Sequence, residues 1–508
     1  MIIREHKLYK LKSIFILFLS LSPLTFLGIY ISNTITMFDQ MVEFTYLTEP
    51  DPTTFLTSNY SRFAEMAQFL DERYENYHIP LNFSTSTIFT DGNCTNISQY
   101  AYSDNGAQWT GLAVTGYVFK YIAAVNENNA TLKKDALRVV RKLLHGMSMM
   151  LAVPNGGLGP NYTGILARGW ANPENKDIAQ WYFDENDQHH NGTGIYSDWR
   201  WRCYTSLDEY SGFYSGLALI LKYVKEPDVQ QLATLMIDQL ANYMINTNFL
   251  GIDWHGGPTG VDQKSRAFMS GSWVCLLLKM ASLALPEKYE KYYYRYAADE
   301  FYAFWSKEGG AQESVSNYYA FAFGTHVQFA LILLEEDPNL HHLYLKRYLN
   351  NMWKFTKNHR NAFYNTIYLT LTDNANENTL LERDVEDQLM RYDLWHIPDR
   401  YNGHAEIPPD YVPVDNVDKL FDFFQNTPYG SIYRPIFSEA KQDKIFFQKP
   451  LTCEYMNGDI FIWECNPFSP QEQRINPAYE LPGFSFTCVY WMGRALGFIK
   501  PNGIRELF

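Results

Sequence analysis

Residues 197–223 read SDWRWRCYTSLDEYSGFYSGLALILKY, and the chain is organised around this change from loop to helix. The loop part is dense in Trp and Arg. Ser206, with Glu209 three residues later, is typical of a capping box at the start of a helix. Tyr210 and Tyr214 follow at helical spacing. Carboxylates, guanidinium groups and flat aromatic rings therefore meet at one helix mouth, and this chemistry is typical of carbohydrate sites.

Apolar residues recur with the 3.6-residue period of an amphipathic helix on both sides of this stretch. The period predicts helices over residues 60–77, 107–125, 131–152, 207–224, 227–246, 265–282, 287–306, 313–335, 338–357, 414–425 and 484–497. Long loops, notably 153–205 and 247–264, separate several of these helices, and such loops tend to be functional. Consecutive helices with long loops at alternate connections favour an α/α toroid, in which helical hairpins surround a cleft.

A strand signal lies near the end of the chain. Residues 444–468 alternate aromatic and polar residues on either side of Asn457-Gly458-Asp459, which predicts a small C-terminal β-hairpin. Cys453 and Cys465 flank this hairpin and are the best candidate disulfide pair, although connectivity cannot be deduced from sequence. The chain shows no linker, charge block or exact internal repeat, so no domain boundary is predicted after residue 45. The predicted fold class is mainly α with one small β element.

Composition narrows the function classes. Of 508 residues, 46% are hydrophobic, which is ordinary, whereas 17% are aromatic, which is high for a soluble protein. An excess of Tyr and Trp suits surfaces that bind flat or half-polar ligands. The formal charge of −14 argues against binding to nucleic acids, whose phosphates need basic patches, so no nucleic-acid partner is predicted.

The N-terminal residues predict a membrane anchor. Arg4, Lys7, Lys10 and Lys12 precede an uncharged, mostly apolar run over 13–31, which is about long enough to cross a bilayer as a helix. Basic residues before the run place the N-terminus inside and the remaining chain outside. A cleaved signal peptide is the alternative, but the run is longer than a usual signal and no small-x-small cleavage site follows it.

The predicted organisation therefore has four parts. Residues 1–12 form a cytoplasmic basic tail, 13–31 a transmembrane signal-anchor, 32–59 a juxtamembrane segment and 60–508 the α/α-toroid domain. The bulk of the chain is expected to be extracytoplasmic. Seven Asn-x-Ser/Thr sequons in the first two-fifths of the chain fit that location: Asn59, Asn82, Asn93, Asn96, Asn129, Asn161 and Asn191.

Four short motifs carry a resemblance to a known family. They are Asp104-Asn105-Gly106-Ala107-Gln108-Trp109-Thr110-Gly111, Gly164-Ile165-Leu166-Ala167-Arg168-Gly169-Trp170, Ser206-Leu207-Asp208-Glu209-Tyr210-Ser211-Gly212 and Tyr490-Trp491-Met492-Gly493-Arg494. Across roughly residues 100–500 the chain resembles poorly characterised six-hairpin-glycosidase-like proteins. The resemblance implies an (α/α)6 toroid and a carbohydrate-related cleft. It supplies no assigned catalytic residues.

Glycoside hydrolysis needs two carboxyl groups, one protonated and one ionised. Acidic residues near aromatic-rich or Gly-rich turns supply the candidates: Asp104, Asp208, Glu209, Asp253, Asp262, Glu313 and Glu464. The capping box accounts for Glu209, which leaves Asp208 as the freer group of the pair. Asp104 has Trp109 one turn later, and that ring can stack on a pyranose face. Asp104 and Asp208 are therefore the leading catalytic carboxylates, with helix capping as the alternative role for both.

A Gly- and Pro-rich loop brings together Asp253, Trp254 and His255. Catalytic groups commonly lie on loops, and a histidine can act as a base near neutral pH. We therefore predict a catalytic role for His255 and substrate contacts for Asp253 and Trp254. The alternative for His255 is a solvated loop histidine.

Arg168 and Arg202 lie in or beside Trp-rich loops, and a guanidinium binds a carboxylate through two parallel hydrogen bonds. An acidic sugar is therefore a plausible substrate. Trp109, Trp199 and Tyr210 complete the predicted substrate-binding set. The alternative is that the arginines neutralise nearby carboxylates or stack on Trp rings.

The preferred function is glycosidic-bond hydrolysis by Asp104 and Asp208, with carbohydrate and the membrane as partners. Gly212 and Gly216 are expected to open space along the helix. One alternative is a polysaccharide lyase, in which an arginine binds a uronate and His255 or Tyr210 removes the proton. Another is a non-catalytic glycan-binding or cell-surface interaction protein. No zinc-binding His-Glu-x-x-His motif or Walker loop is present, so no metal or cofactor is predicted.

Overall fold

The chain is mainly helical in the computed structural model, which describes residues 49–101, 104–264, 271–300, 302–305, 318–372, 375–392, 409–411, 447, 449–456, 466–468 and 478–505. The α-helices are α1 (Tyr60–Arg73), α2 (Gly106–Asn126), α3 (Ala130–Asn155), α4 (Leu207–Tyr223), α5 (Pro227–Asn246), α6 (Gly271–Ala284), α7 (Pro286–Tyr294), α8 (Tyr302–Trp305), α9 (Tyr318–Leu334), α10 (Pro338–Tyr348), α11 (Lys354–Thr356), α12 (Ala362–Leu371), α13 (Ala375–Tyr392) and α14 (Phe484–Leu496). The mainly α prediction is confirmed.

The strands are short. They are β1 (Thr87–Phe89), β2 (Ile97–Tyr100), β3 (Gly169–Ala171), β4 (His189–Asn191), β5 (Arg200–Arg202), β6 (Leu250–Ile252), β7 (Pro258–Asp262) and β8 (Tyr479–Glu480). Within the described residues they form three antiparallel groups, ordered β2-β1-β8, β3-β5-β4 and β6-β7. The second group lies in the predicted long loop before α4, so that loop carries secondary structure of its own.

Two helices are missing from the sequence-based prediction. The apolar period does not predict α12 and α13, because Thr and Ile weaken the helical signal in one and charged residues dilute the period in the other. Several predictions lie outside the described residues: the anchor over 13–31, the helix over 414–425, the hairpin turn at 457–459, and Glu313, Glu464 and Cys465.

Six helices pack in succession. Among the described elements, α2 contacts α4, α4 contacts α6, α6 contacts α9, α9 contacts α12, α12 contacts α14, and α14 returns to α2. A second set of helices packs on the first: α3 on α2, α5 on α4, α7 on α6, α10 on α9, α13 on α12 and α1 on α14. Each helix of the second set is thus paired with a neighbour in the first.

The six helices of the first set all start at the same end. They are α2, α4, α6, α9, α12 and α14. Contacts join their first turns to one another: Gln108 N to Glu209 Oε2 (3.0 Å), Trp273 Nε1 to Leu207 O (3.2 Å), Asn105 Nδ2 to Tyr319 OH (2.7 Å), Asn361 Nδ2 to Tyr318 OH (3.0 Å) and the rings of Trp109 and Phe484 (5.8 Å between centroids). The long loops precede these starts. The opposite end has short connections, such as 127–129, 224–226 and 335–337.

The crossing of α2 and α4 is a backbone contact. A Cβ atom at Gly111 would lie 1.8 Å from the carbonyl oxygen of Gly212, and one at Gly216 would lie 2.9 Å from the carbonyl oxygen of Gly111. The prediction that Gly212 and Gly216 open space for a ligand is therefore wrong. The backbone of the neighbouring helix occupies the space that a side chain at these positions would fill.

The interior contains polar groups as well as apolar ones. The buried His326 lies 3.0 Å, through Nε2, from Thr115 Oγ1, and burial lowers its pKa to about 3. His326 is therefore a core histidine with a hydrogen-bond partner, as the apolar sequence around it indicates. Asn361 caps α12, because its Oδ1 accepts from the amide of Phe363 at 3.0 Å.

Both ends of the described chain meet. Asn59 pairs with Ile504 in an isolated antiparallel bridge, and the Tyr60 amide donates to Gly503 O at 2.8 Å. The Gly503 amide donates in turn to Ser61 Oγ at 3.1 Å. Within the described residues, no helix combines the length and the apolar character that crossing a membrane requires.

Candidate functional site

We call the end at which α2, α4, α6, α9, α12 and α14 begin the mouth. The positive ends of the helix dipoles point towards it, so carboxylates are favoured there. Asp104, Asp208 and Glu209 all lie at the mouth, but their surroundings differ. Asp104 is exposed, Asp208 is half-buried and Glu209 has no exposed surface.

Glu209 binds a different helix from the one expected. Its Oε2 accepts from the backbone amide of Gln108 in the first turn of α2 at 3.0 Å, and its Oε1 lies 3.4 Å from Arg168 Nη1. Ser206 makes no side-chain cap bond to the start of α4, so the capping-box prediction is wrong. Burial raises the pKa of Glu209 to about 8, with Arg168 opposing the rise and Asp208 adding to it.

Asp208 is held by two hydroxyl groups. Ser206 Oγ donates to its Oδ1, and Tyr319 OH donates to its Oδ2 at 3.1 Å. Tyr319 reaches the mouth from the first turn of α9, and its single hydroxyl proton is shared between Asp208 Oδ2 and Gln108 Oε1, which lies 2.5 Å from the tyrosine oxygen. Asn105 Nδ2 donates to the same tyrosine oxygen at 2.7 Å. Tyr319 therefore connects Asp208 to the start of α2.

Asp104 lies beside the same group. Its side chain is 69% exposed, and its Oδ1 lies 2.6 Å from Arg202 Nη2 and 3.6 Å from Arg168 Nη1. The N-cap position of α2 belongs to Asn105, so Asp104 does not cap this helix. The ion pair with Arg202 leaves most of the Asp104 carboxylate open to solvent.

The two arginines predicted to bind substrate are engaged by the protein. Arg168 donates from Nε to Tyr204 O, from Nη1 to Asn105 Oδ1 and from Nη2 to Ser206 Oγ, each at 2.8 Å. Arg202 donates from Nη2 to Gln188 Oε1 at 3.0 Å in addition to its ion pair. Arg168 thus ties the loop before α4 to the loop before α2.

The predicted aromatic residues separate into different places. Trp109 is partly buried at the mouth, where its ring lies against Tyr319 and Phe484. Trp199 instead stacks on Trp170 at 5.3 Å between ring centroids, within the β3-β5-β4 region. Tyr210 is 2% exposed, and burial raises its pKa well above the ordinary value. Tyr210 is therefore a core residue, unsuited to substrate contact or to proton removal.

The β6-β7 hairpin holds a second group. The Asp253 side chain is buried, its Oδ1 accepts from the Trp254 amide at 2.6 Å, and its Oδ2 lies 3.4 Å from His255 Nδ1. Trp254 is 53% exposed and its ring lies 4.2 Å from that of His190 on β4. Burial lowers the pKa of His190, and Asp253 opposes the change.

These contacts divide the predicted residues into three sets. Asp104, Asp208, Arg168, Arg202 and Trp109 lie together at the mouth, and Asp253, Trp254 and His255 lie together on the hairpin. Trp199 and Tyr210 belong to neither set. No family model, curated protein or solved structure matches this chain.

Sequence reasoning missed Tyr319, Asn105 and Gln108. Asn105 and Gln108 are part of the Asp104–Gly111 motif, between the Asp and the Trp that carry its chemical signal. Tyr319 is one of two adjacent tyrosines at the start of α9, and a polar side chain at a helix start was a usable signal. Over the described part of the chain, no three or more His, Cys, Asp or Glu side chains are grouped so that they could hold a metal ion.

Proposed function

We propose that the chain is an (α/α)6 toroid whose mouth is a carbohydrate cleft. The succession of contacts from α2 through α14 and back to α2 supports the toroid, with the second helix set as the outer layer. The long loops before the inner helices build the cleft wall, and β3, β4 and β5 lie in one of them. We also propose that residues 13–31 anchor this domain outside the membrane, on the charge pattern of the N-terminus.

The function that this site supports best is glycoside hydrolysis with Asp104 and Asp208 as the paired carboxyl groups. The observation that carries the proposal is their placement at one mouth, each oriented by fixed donors and neither fully buried. Trp109 supplies an aromatic ring beside them. Fixed donors hold a carboxyl group in position before substrate arrives, which reduces the cost of ordering the site during catalysis.

Glu209 has a supporting role in this proposal. Its carboxyl group has no exposed surface, so it does not touch substrate. It links the first turn of α2 to Arg168, and Arg168 in turn fixes the loops that carry Asp104 and Ser206. Glu209 is thus a positioning residue for the pair rather than a member of it.

The lyase alternative has less support. A lyase needs a guanidinium that is available for a uronate carboxylate, whereas Arg168 and Arg202 are bound to protein acceptors. Tyr210, one of its two proposed bases, is in the core. His255 remains accessible on the hairpin beside Asp253.

One observation favours a non-catalytic glycan-binding function as the second candidate. Trp254 presents about half of its surface to solvent, and the His190 ring lies against it, with 4.2 Å between ring centroids. Such an exposed ring binds a sugar face without any chemistry. The same residue also suits a flanking subsite of a hydrolase, so the two functions are separated by turnover.

The test is a turnover screen of the full chain in detergent against neutral and acidic oligosaccharides, with Asp104→Asn and Asp208→Asn as variants. We expect each to lower kcat by at least about a hundredfold, since acid or base catalysis contributes that much. Asp198→Asn is the matched control, because Asp198 is exposed in the same loop. Wild-type turnover in the Asp208 variant would remove this residue from the reaction.

Aryl glycosides then separate the roles of the two carboxyl groups. A good leaving group needs no protonation, so the variant that lacks the acid should keep most of its activity on such substrates. The variant that lacks the base or nucleophile should lose activity on every substrate. Binding of oligosaccharide without turnover in the wild type would instead favour the glycan-binding function.

A further inference from the structure

The seven sequons fall into two structural classes. In five of them both the Asn and the Ser or Thr two positions later are exposed: Asn93-Cys94-Thr95, Asn96-Ile97-Ser98, Asn129-Ala130-Thr131, Asn161-Tyr162-Thr163 and Asn191-Gly192-Thr193. In the other two, Asn59-Tyr60-Ser61 and Asn82-Phe83-Ser84, neither position is exposed. The sequence treats all seven alike, so only the fold separates them.

The exposed class keeps the amide nitrogen available. Asn129 caps α3 through its Oδ1, which accepts from the Leu132 amide at 3.0 Å. Asn191 accepts from Arg200 Nη1 at 2.7 Å, again through Oδ1. A glycan is attached to Nδ2 and leaves Oδ1 as an acceptor, so both contacts are compatible with the modification.

In the packed class, other residues occupy the space around the Asn side chain. Asn82 Nδ2 donates to His145 Nδ1 at 3.2 Å, and the Asn82 carbonyl oxygen occupies the space that a Cβ at Gly146 would need. Phe83 and Ser84 are buried beneath it. A glycan on Asn82 would have to displace the Asn82 side chain from α3.

Asn59 is enclosed by the C-terminal tail. Its backbone pairs with Ile504, and the next two residues, Tyr60 and Ser61, bond Gly503. Tyr60 is 5% exposed and also donates to Glu386 Oε1 at 3.0 Å. A branched polar chain at this point would separate the two ends of the domain.

We propose that the chain carries N-linked glycans at Asn129, at Asn161, at Asn191 and at the turn that holds Asn93 and Asn96, and that Asn59 and Asn82 stay unmodified. In the reaction, Nδ2 loses one proton and bonds to the anomeric carbon of a lipid-pyrophosphate-linked oligosaccharide, while the lipid pyrophosphate leaves. The proposal rests on the outward location given under the proposed function. It does not depend on turnover of any substrate.

The test is site mapping on the full chain made in a secretory cell that performs N-glycosylation. Enzymatic deglycosylation in ¹⁸O-labelled water converts each glycosylated Asn to labelled Asp, and peptide mass spectrometry reads all seven positions. We expect label at Asn129, Asn161, Asn191 and at least one of Asn93 and Asn96, with none at Asn59 or Asn82. Label at either of the last two, or its absence from any expected position, would overturn the assignment.

A matched pair of variants checks the mapping by gel mobility. Thr131→Ala removes one sequon and keeps the Asn129 cap, so it should remove one mobility step without affecting the fold. Asn82→Gln should leave the number of steps unchanged, and loss of a step would contradict the proposal. Absence of label at all seven positions would overturn the outward location as well, whereas the turnover results for Asp104 and Asp208 would stand.

Discussion

The carboxylates at the mouth differ from those in the interior away from it in their access to solvent. Away from the mouth, buried lysines meet buried carboxylates in closed contacts: Lys279 Nζ lies 2.7 Å from Glu335 Oε1, and Lys120 Nζ lies 2.9 Å from Asp71 Oδ2 and 2.8 Å from the more exposed Asp135 Oδ2. At the mouth, Asp104 and Asp208 are fixed by donors but still reach solvent. Both groups of carboxylates have protein partners, so the difference between them is access to solvent.

The largest effect should follow from opening a closed pair. Lys279→Met leaves Glu335 buried without its cation, and such a loss costs about 3–5 kcal/mol. Arg141→Met is the matched control, because the pair of Arg141 with Asp228 is exposed and such pairs are worth at most about 1 kcal/mol. Denaturant unfolding measures both. Equal losses in the two variants would contradict the expected difference between a buried and an exposed ion pair.

The rigid crossing beneath the mouth predicts the next effect. Gly111→Ala forces a methyl group into the backbone of α4 and should cost about 3 kcal/mol, at the upper end for overpacking. Gly116→Ala lies on the same helix, and its Cβ would be 3.2 Å from Cys488 Cα, a contact that a small shift relieves. We expect this control to be near neutral, because Ala is favoured over Gly in a helix by about 1 kcal/mol. Thermal unfolding of both variants would show the difference.

The buried acid at the mouth predicts a pH dependence. Glu209 has a pKa of about 8 in the fold and an ordinary value of 4.5, so the folded state holds a proton that the unfolded state has released between these values. Its contribution to the free energy of unfolding therefore falls as pH rises through this window, by up to about 1.4 kcal/mol per pH unit. Glu209→Gln should gain on the wild type as pH rises from 5 to 8. Parallel stability curves would show that Glu209 is ionised in the fold.

The smallest effect concerns the hairpin. Trp254→Ala should weaken oligosaccharide binding about fivefold, since one stacking ring contributes about 1 kcal/mol. The unfolding free energy should change little, because half of the Trp254 surface is already exposed. Trp199→Phe is the control, as Trp199 stacks on Trp170 and is not part of the β6-β7 hairpin. Calorimetric titration with the best oligosaccharide from the screen measures the change, and unaltered affinity would exclude Trp254 from the binding surface.

The sequence predicted the helices well where apolar residues repeat strongly. The bounds of α2, α3, α4 and α5 lie close to those expected, because apolar residues recur along the whole length of each helix. It also placed Asp104, Asp208 and Trp109 at helix starts, which the shared mouth then brings together. Local pattern was sufficient for these features because each depends on neighbours in the chain.

The rest depended on residues far away in sequence. The capping box assigned Glu209 to its own helix, whereas the amide it binds belongs to Gln108, 101 residues earlier. Gly212 looked like open space because its neighbour, Gly111, is on another helix. Arg168 looked available for a ligand for the same reason: its acceptors Tyr204 O and Asn105 Oδ1 are 36 and 63 residues away in sequence. Pairings of this kind are fixed by the fold and leave no local signature.

The meeting of the two chain ends also sets an order of events. Gly503 and Ser61, whose bond joins them, are 442 residues apart, so this contact forms only when nearly the whole chain is in place. α1, the first described α-helix, packs on α14, the last described α-helix. Closing so long a loop is slow compared with forming the helical hairpins. The contact between Ser61 and Gly503 is therefore expected to form last in the domain.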